Sequence, residues 1–138
     1  RSRRQRQMCI RDRGRSLIHK NLQIDVDILV WLMRHPVLDK SIEYADNRIS
    51  LFAAQYGRCF VTGNKLTPSD IHCHHKLPLE KGGTDKYSNL ILVTEKVHIL
   101  IHATKEDTIL KYVKELALTG KQIEKCNKLR EMIGLPTI

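Results

Sequence analysis

The stretch that decides the fold reads Ile71-His72-Cys73-His74-His75-Lys76-Leu77-Pro78, with Leu90-Ile91-Leu92-Val93-Thr94-Glu95 following it along the chain. The first segment predicts a short strand over residues 71–75 that ends before the proline, which lacks the amide donor that a sheet requires. The apolar run 90–93 predicts a second strand. Thr94 and Glu95 then predict a helix that begins there and runs to about residue 103. The order of these elements predicts a ββα unit.

Histidines are concentrated in this unit. Two are adjacent at positions 74 and 75, and two are four residues apart at positions 98 and 102. Side chains four apart on a helix lie on one face, about one turn from each other, which suits a shared metal ion. A neutral imidazole can also take a proton from water, because its pKa lies near neutrality. Together with a metal, these groups supply what hydrolysis of a phosphodiester needs.

Each component also has an ordinary interpretation. A helical pair of histidines is more often a surface feature than a metal site, and paired histidines in a strand can be satisfied core residues. Gly82-Gly83 is usually only a turn, and Asn89 can be a turn residue. His72 has no predicted role beyond structure or solvation. Glu95 either orients the ring of His98 or compensates charge at the helix N-terminus, and we favour the second. The prediction of a nuclease therefore depends on the combination.

The combined pattern resembles the HNH, or ββα-metal, endonucleases, whose motif it follows as His-His-Lys-x-Pro, Gly-Gly, Asn-x-x-x-x-Thr and His-x-x-x-His. Residues 47–63, 101–104 and the tail 129–136 are further similar to the C-terminal region of group II intron-encoded reverse transcriptase/maturases. The resemblance covers roughly residues 16–138. It implies a domain that nicks one strand of target DNA.

The resemblance also implies roles for individual residues. Asn89 would brace the loop or hold the general base in its working orientation. The general base would be His75, and the metal ligands would be His74, His98 and His102. Three lysines around the loop are candidates for contacts with nucleic-acid phosphates, although solvated lysines are the default interpretation: Lys76, Lys81 and Lys86.

One divalent metal ion is the cofactor that this reading requires. Three imidazoles suit zinc, nickel or manganese, whereas magnesium, which the resemblance favours, prefers oxygen ligands. The choice between magnesium, manganese and zinc stays open at this point.

A second, structural zinc is not expected. Many HNH domains hold one with two Cys-x-x-Cys pairs, but the corresponding segments here are Cys59-Phe60-Val61-Thr62 and Thr94-Glu95-Lys96-Val97. Cys59 is instead predicted to be an ordinary buried residue.

The formal net charge of +9 favours a polyanionic partner, but its distribution weakens the inference. Residues 1–13 hold six arginines and one aspartate, a net +5 that leaves +4 for the rest of the chain. Residues 8–12 match what a transposon-end adapter of sequencing libraries encodes. We therefore predict that residues 1–13 are a non-native segment, with a native, disordered basic arm as the alternative.

The rest of the chain predicts an α+β fold in which helices flank the ββα motif. The predicted divisions are a helical connecting region 14–46, an HNH endonuclease domain 47–104 and a C-terminal helical extension 105–138. Predicted helices cover residues 26–33, 48–56, 107–118 and 121–133, and Asp46-Asn47 is the expected cap of the second. Apolar residues of the last two helices are predicted to pack in the core: Ile109, Leu110, Val113, Leu116, Ile123, Leu129 and Met132.

Two classes of function are consistent with these patterns. The first is an HNH endonuclease that cleaves DNA as part of an intron-encoded maturase, with intron RNA as a further partner; a free-standing homing or restriction nuclease is the variant within this class. The second is a nucleic-acid-binding module that does not cleave. Four cysteines without a Cys-x-x-Cys pair, and the lack of a signal peptide or long apolar run, predict a cytoplasmic protein with no membrane partner.

Overall fold

The computed structural model describes residues 25–138, and the segment 1–13 lies outside these residues. The described part is α+β, with five α-helices and one two-stranded sheet. No helix within it is long and apolar enough to cross a membrane. In chain order the elements are helix α1 (Val26–Arg34), helix α2 (Ile42–Ala54), strand β1 (His72–His75), strand β2 (Leu90–Val93), helix α3 (Glu95–His102), helix α4 (Glu106–Leu116) and helix α5 (Gly120–Met132).

The two strands form an antiparallel hairpin, and α3 follows directly. His74 lies opposite Ile91, and His75 lies opposite Leu90. The predicted strand over residues 90–93 is confirmed, and β1 begins one residue later than predicted. The side-chain oxygen of Thr94 accepts a hydrogen bond from the amide of Val97 at 3.5 Å, which confirms the predicted N-cap. Thr94 is thus the only residue between β2 and α3, and its cap starts the helix directly after the hairpin.

The prediction for the start of α2 is wrong. This helix begins at Ile42, because the Ser41 side chain accepts a hydrogen bond from the amide of Tyr44 at 3.0 Å and so caps it. Asp46 and Asn47, the predicted caps, lie inside the helix. Helix α2 therefore runs across the division predicted between residues 46 and 47.

The core lies between β2, α2, α3 and α5. All four residues of β2 are buried, and so are Val97, Leu100 and Ile101 of α3. The apolar stripe of α4 packs against this core from outside, but two residues predicted to belong to the core are exposed: Leu110 at 61% and Met132 at 45%. Leu110 follows Ile109 by one position, and one residue is about 100° of helical rotation, so the two side chains cannot share a face.

The loop before β1 is held by hydrogen bonds. The side-chain amide of Gln55 donates to the carbonyl of Leu92 at 2.9 Å and accepts from the amide of Leu92 at 3.0 Å. The backbone amide of Phe60 donates to the same carbonyl at 3.0 Å. Cys59 is buried in the core, as predicted, and is a free thiol. These contacts connect residues 55–60 to the outer side of β2.

Arg130 of α5 is the largest fully buried side chain of the described residues. Its guanidinium donates to the carbonyls of Leu100 and Ala103, both at 2.8 Å, and to that of Pro136 at 2.9 Å. The last carbonyls of a helix have no partners within the helix and carry a partial negative charge. Arg130 therefore satisfies the C-terminal end of α3 with a buried cation.

Candidate active site

The three predicted metal-binding histidines lie together. His74 comes from the end of β1, and His98 and His102 come from successive turns of α3. One ring nitrogen of each lies within 4.8 Å of the other two. The rings meet edge to face, with centroid distances of 5.4 Å from His74 to His98, 5.1 Å from His74 to His102 and 4.7 Å from His98 to His102. This group can hold a metal ion.

The environment of His74 fits a metal. The residue is 1% exposed, and its Nε2 has no hydrogen-bond partner among residues 25–138. A buried polar nitrogen without a partner costs free energy, and such groups are uncommon in folded proteins. Two further imidazoles beside this nitrogen complete a three-nitrogen donor set, which leaves coordination positions for water or substrate, as in catalytic metal sites.

The electrostatics of the cluster favour the neutral, metal-binding form of each ring. Burial lowers the pKa of His74 to about 3 and that of His98 to about 4, and the neighbouring histidines add to both effects. Burial also lowers the pKa of His102. All three rings are therefore neutral at pH 7, with lone pairs available to a cation.

We expect the metal-free protein to lose stability as the pH falls from 7 to 5. The unfolded chain takes up protons on these histidines near pH 6.5, whereas the folded chain resists them, so the free energy of unfolding decreases below that pH. Urea denaturation in EDTA at pH 7, 6 and 5 measures the slope. His98→Asn should flatten it, whereas His35→Asn, at an exposed position, should not. Equal slopes for wild type and His98→Asn would contradict this account.

His75 lies beside the cluster in the same cleft. Strand β1 ends at His75, so the adjacent His74 and His75 both face a cleft of about 280 Å³ although they alternate along the strand. His75 Nε2 lies 2.7 Å from Oδ1 of Asp85, and its ring stacks on that of Tyr44 with centroids 5.8 Å apart. The cleft is lined by Lys40, Tyr44, Cys73, His74, His75, Pro78, Leu79, Glu80, His98 and His102.

Asp85 is a polar residue beside His75 to which the sequence assigned no role. Its second carboxylate oxygen, Oδ2, accepts a hydrogen bond from the Ser41 hydroxyl at 2.8 Å, and its backbone carbonyl accepts one from the Asn47 side chain at 2.7 Å. The hydrogen bonds from His75 and Ser41 hold the pKa of Asp85 below its usual value. The available signal was its position directly after Gly-Gly-Thr in the loop that returns past the paired histidines.

Asn89 braces the loop between the strands. Its side-chain amide donates to the carbonyls of Leu77, at 3.0 Å, and Thr84, at 2.7 Å, and its oxygen accepts from the amide of Leu77 at 2.8 Å. Among the described residues it makes no side-chain hydrogen bond to His75. The resemblance left two roles open for Asn89, bracing the loop or orienting His75. These hydrogen bonds agree with bracing of the loop. Gly83 lies inside this brace, where a Cβ would be 1.8 Å from the carbonyl oxygen of Leu77.

The lysines predicted to contact phosphates do not line the cleft. Lys81 donates to the carbonyl of Ile133 at 2.7 Å, and Lys76 and Lys86 also lie outside the lining. Lys40, from the turn before α2, lines the cleft instead, with Nζ 5.8 Å from the centre of the Tyr44 ring. The candidate phosphate contact within the cleft is thus a residue that the loop pattern did not indicate.

His72 and Glu95 lie at the edge of the site. The ring of His72 stacks on that of His98, with centroids 5.6 Å apart, and His72, Asp70 and Glu95 form a second, more exposed group whose ligand atoms lie close together. The amide of Glu95 donates to Asp70 at 2.6 Å. Within residues 25–138 Glu95 makes no hydrogen bond to His98, which agrees with the interpretation of Glu95 as an N-terminal charge of α3.

No family model, no curated protein and no solved structure matches the chain. A three-histidine metal group beside a fourth histidine bonded to a carboxylate can bind a metal and accept a proton within one cleft.

Proposed function

We propose that this chain is a metal-dependent HNH endonuclease domain that hydrolyses phosphodiester bonds in DNA. The observation that carries the proposal is the convergence of His74, His98 and His102 on one point, with His75 in the same cleft but outside that group. A binding module has no need of a proton acceptor at this position. The order of the motif along the chain agrees with that of HNH endonucleases.

His75 is the general base in this proposal. The ion would be held by His74, His98 and His102, and when bound it supplies Lewis-acid stabilisation of charge on the phosphate and on the leaving oxygen. The neutral imidazole of His75 accepts the proton of the attacking water. Asn89 contributes indirectly, because its hydrogen bonds on both sides of the loop fix the backbone that follows His75.

The substrate and the larger context rest on the resemblance. We propose target DNA as the substrate and a group II intron-encoded reverse transcriptase/maturase as the whole protein, with intron RNA as its other partner. The net charge of +4 that remains without residues 1–13 is modestly basic and agrees with a polyanionic substrate. Three imidazole ligands favour manganese or zinc over magnesium by donor type, while the resemblance favours magnesium.

Nicking of a supercoiled plasmid tests the proposal. We expect conversion to the open-circular form with Mg²⁺, Mn²⁺ or Zn²⁺, and none in EDTA. Circular dichroism should show that EDTA leaves the helices in place, because no cysteine belongs to a group of potential metal ligands among the described residues. His35→Ala, which changes an exposed histidine, is the control for the variants. A folded, metal-loaded protein that retards DNA without cutting it would overturn cleavage and favour the non-cleaving binding module.

A further inference from the structure

Helix α2 holds the loop carboxylate that contacts His75. The Ser41 hydroxyl at its N-terminus donates to Oδ2 of Asp85, and Asn47, on its second turn, donates to the backbone carbonyl of the same residue. These partners are 44 and 38 residues away in sequence. Since Oδ1 is engaged by His75, both carboxylate oxygens have a partner. Asp85 is therefore fixed in one orientation.

This arrangement selects one tautomer of His75. Hydrogen bonds from His75 and Ser41 lower the pKa of Asp85, so the carboxylate is ionised at pH 7 and can only accept. The Nε2 of His75, 2.7 Å away, must then carry the proton of their hydrogen bond. In a neutral ring the other nitrogen, Nδ1, is left with a free lone pair. Among the described residues Nδ1 makes no hydrogen bond.

The stacked ring of Tyr44 restricts His75 further. The two ring planes lie 23° apart with centroids separated by 5.8 Å, and Tyr44 belongs to the first turn of α2. Its backbone amide bonds to the same Ser41 side chain that donates to Asp85. One helical turn therefore contacts both the face of the imidazole and the carboxylate at its edge.

We propose that Asp85 is a positioning residue that fixes His75 as the Nε2–H tautomer, making Nδ1 the atom that accepts the proton, and that α2 fixes Asp85 through Ser41 and Asn47. The accepting role rests on the proposed function, but the tautomer does not. A fragment limited to the two strands and α3 would contain every predicted metal ligand. It would lack Ser41 and Asn47, which hold Asp85 against His75.

The tautomer can be measured without activity. In metal-free protein with ¹⁵N-labelled histidine at pH 8, we expect a slowly exchanging, downfield proton on Nε2 of His75 and an unprotonated Nδ1. Asp85→Ala should abolish this protected signal, whereas Asp46→Ala, at an exposed position of α2, should keep it. A protected proton on Nδ1, or an Nε2 signal unchanged in Asp85→Ala, would overturn the inference.

Kinetics supply the second readout. Asp85→Ala should lower kcat by at least about 10-fold, though by less than removal of the base itself, while KM and metal affinity stay near wild type. Ser41→Asp should act in the same direction, because aspartate keeps a capping oxygen but cannot donate to Asp85. Ser50→Asp adds the same charge at an exposed position of the same helix as a control.

The outcomes separate the two proposals. If wild type does not cleave but shows the protected Nε2 proton, the nuclease proposal fails and the positioning of His75 stands. If wild type cleaves and Asp85→Ala keeps its full kcat, the positioning role fails and the nuclease proposal stands. Partial recovery of kcat in Asp85→Asn, whose amide oxygen can still accept from Nε2, would support positioning.

Discussion

His75→Ala is expected to lower the rate of plasmid nicking by about 10²–10⁴-fold, which is what a positioned general base contributes. Metal affinity should stay near wild type, because His74, His98 and His102 form their group without it. Isothermal titration with Mn²⁺ or Zn²⁺ measures the affinity, and plasmid nicking measures the rate. Added imidazole should restore little activity if the base must be held in a fixed position.

His98→Ala should disable the same reaction by another route. It removes one of three ring nitrogens from the metal group, so metal affinity falls and excess metal should restore part of the rate. His35→Ala is the matched control and should change neither quantity. If His75→Ala loses the metal and His74→Ala keeps it, the roles of the two adjacent histidines are exchanged. Equal effects of His75→Ala and His98→Ala on metal affinity would contradict the separation of the base from the ligands.

Arg130→Met is expected to cause a large loss of stability although the residue lies outside the cleft. The substitution removes the donor to the buried carbonyl of Ala103, while the carbonyl of Leu100 keeps only the 3.3 Å bond from the amide of Ala103. A buried group left unsatisfied costs about 1–3 kcal/mol, so we expect the free energy of unfolding to fall by about 2 kcal/mol. Because those carbonyls end the helix that carries His102, metal affinity should fall as well.

Urea denaturation of the metal-free protein checks this expectation. Lys128→Met removes a cation from an exposed position of the same helix and should change stability by less than about 0.5 kcal/mol. Arg130→Lys should fall between the two, since an ammonium is a cation but lacks the planar set of donors. Stability of Arg130→Met within that 0.5 kcal/mol of wild type would mean that α3 does not depend on this contact.

Features encoded by local sequence were predictable. The segment 71–75 before Pro78 and the apolar run 90–93 predicted the two strands, and Thr94 with Glu95 predicted the start of α3. The helical spacing of His98 and His102 put both rings on one face, and their approach to His74 followed from the hairpin. These predictions succeeded because each depends on residues that are neighbours in the chain or across one turn.

Features that depend on distant partners were not predictable. Ser41 and Asp46-Asn47 were both possible caps for α2. The structure uses Ser41, which directly follows the turn of residues 37–40 and whose hydroxyl also reaches Asp85. The position of Asp85 after Gly-Gly-Thr does not by itself indicate its contacts with α2, because Ser41 and Asn47 lie 44 and 38 residues away in sequence. The burial of Arg130 could not be predicted either, because a charged residue in a helix is normally exposed and its partners lie in α3, 27–30 residues away.

The contact between Gln55 and Leu92 also bears on how this protein can associate. A strand at the border of a sheet offers unpaired amides and carbonyls to which another chain can add a strand. At Leu92 the Gln55 amide occupies both groups, as a neighbouring strand would, and the Phe60 amide shares the carbonyl. An incoming strand would have to displace this side chain before it could extend the sheet past β2. The Gln55 amide therefore protects this border of the hairpin from edge-to-edge assembly and aggregation.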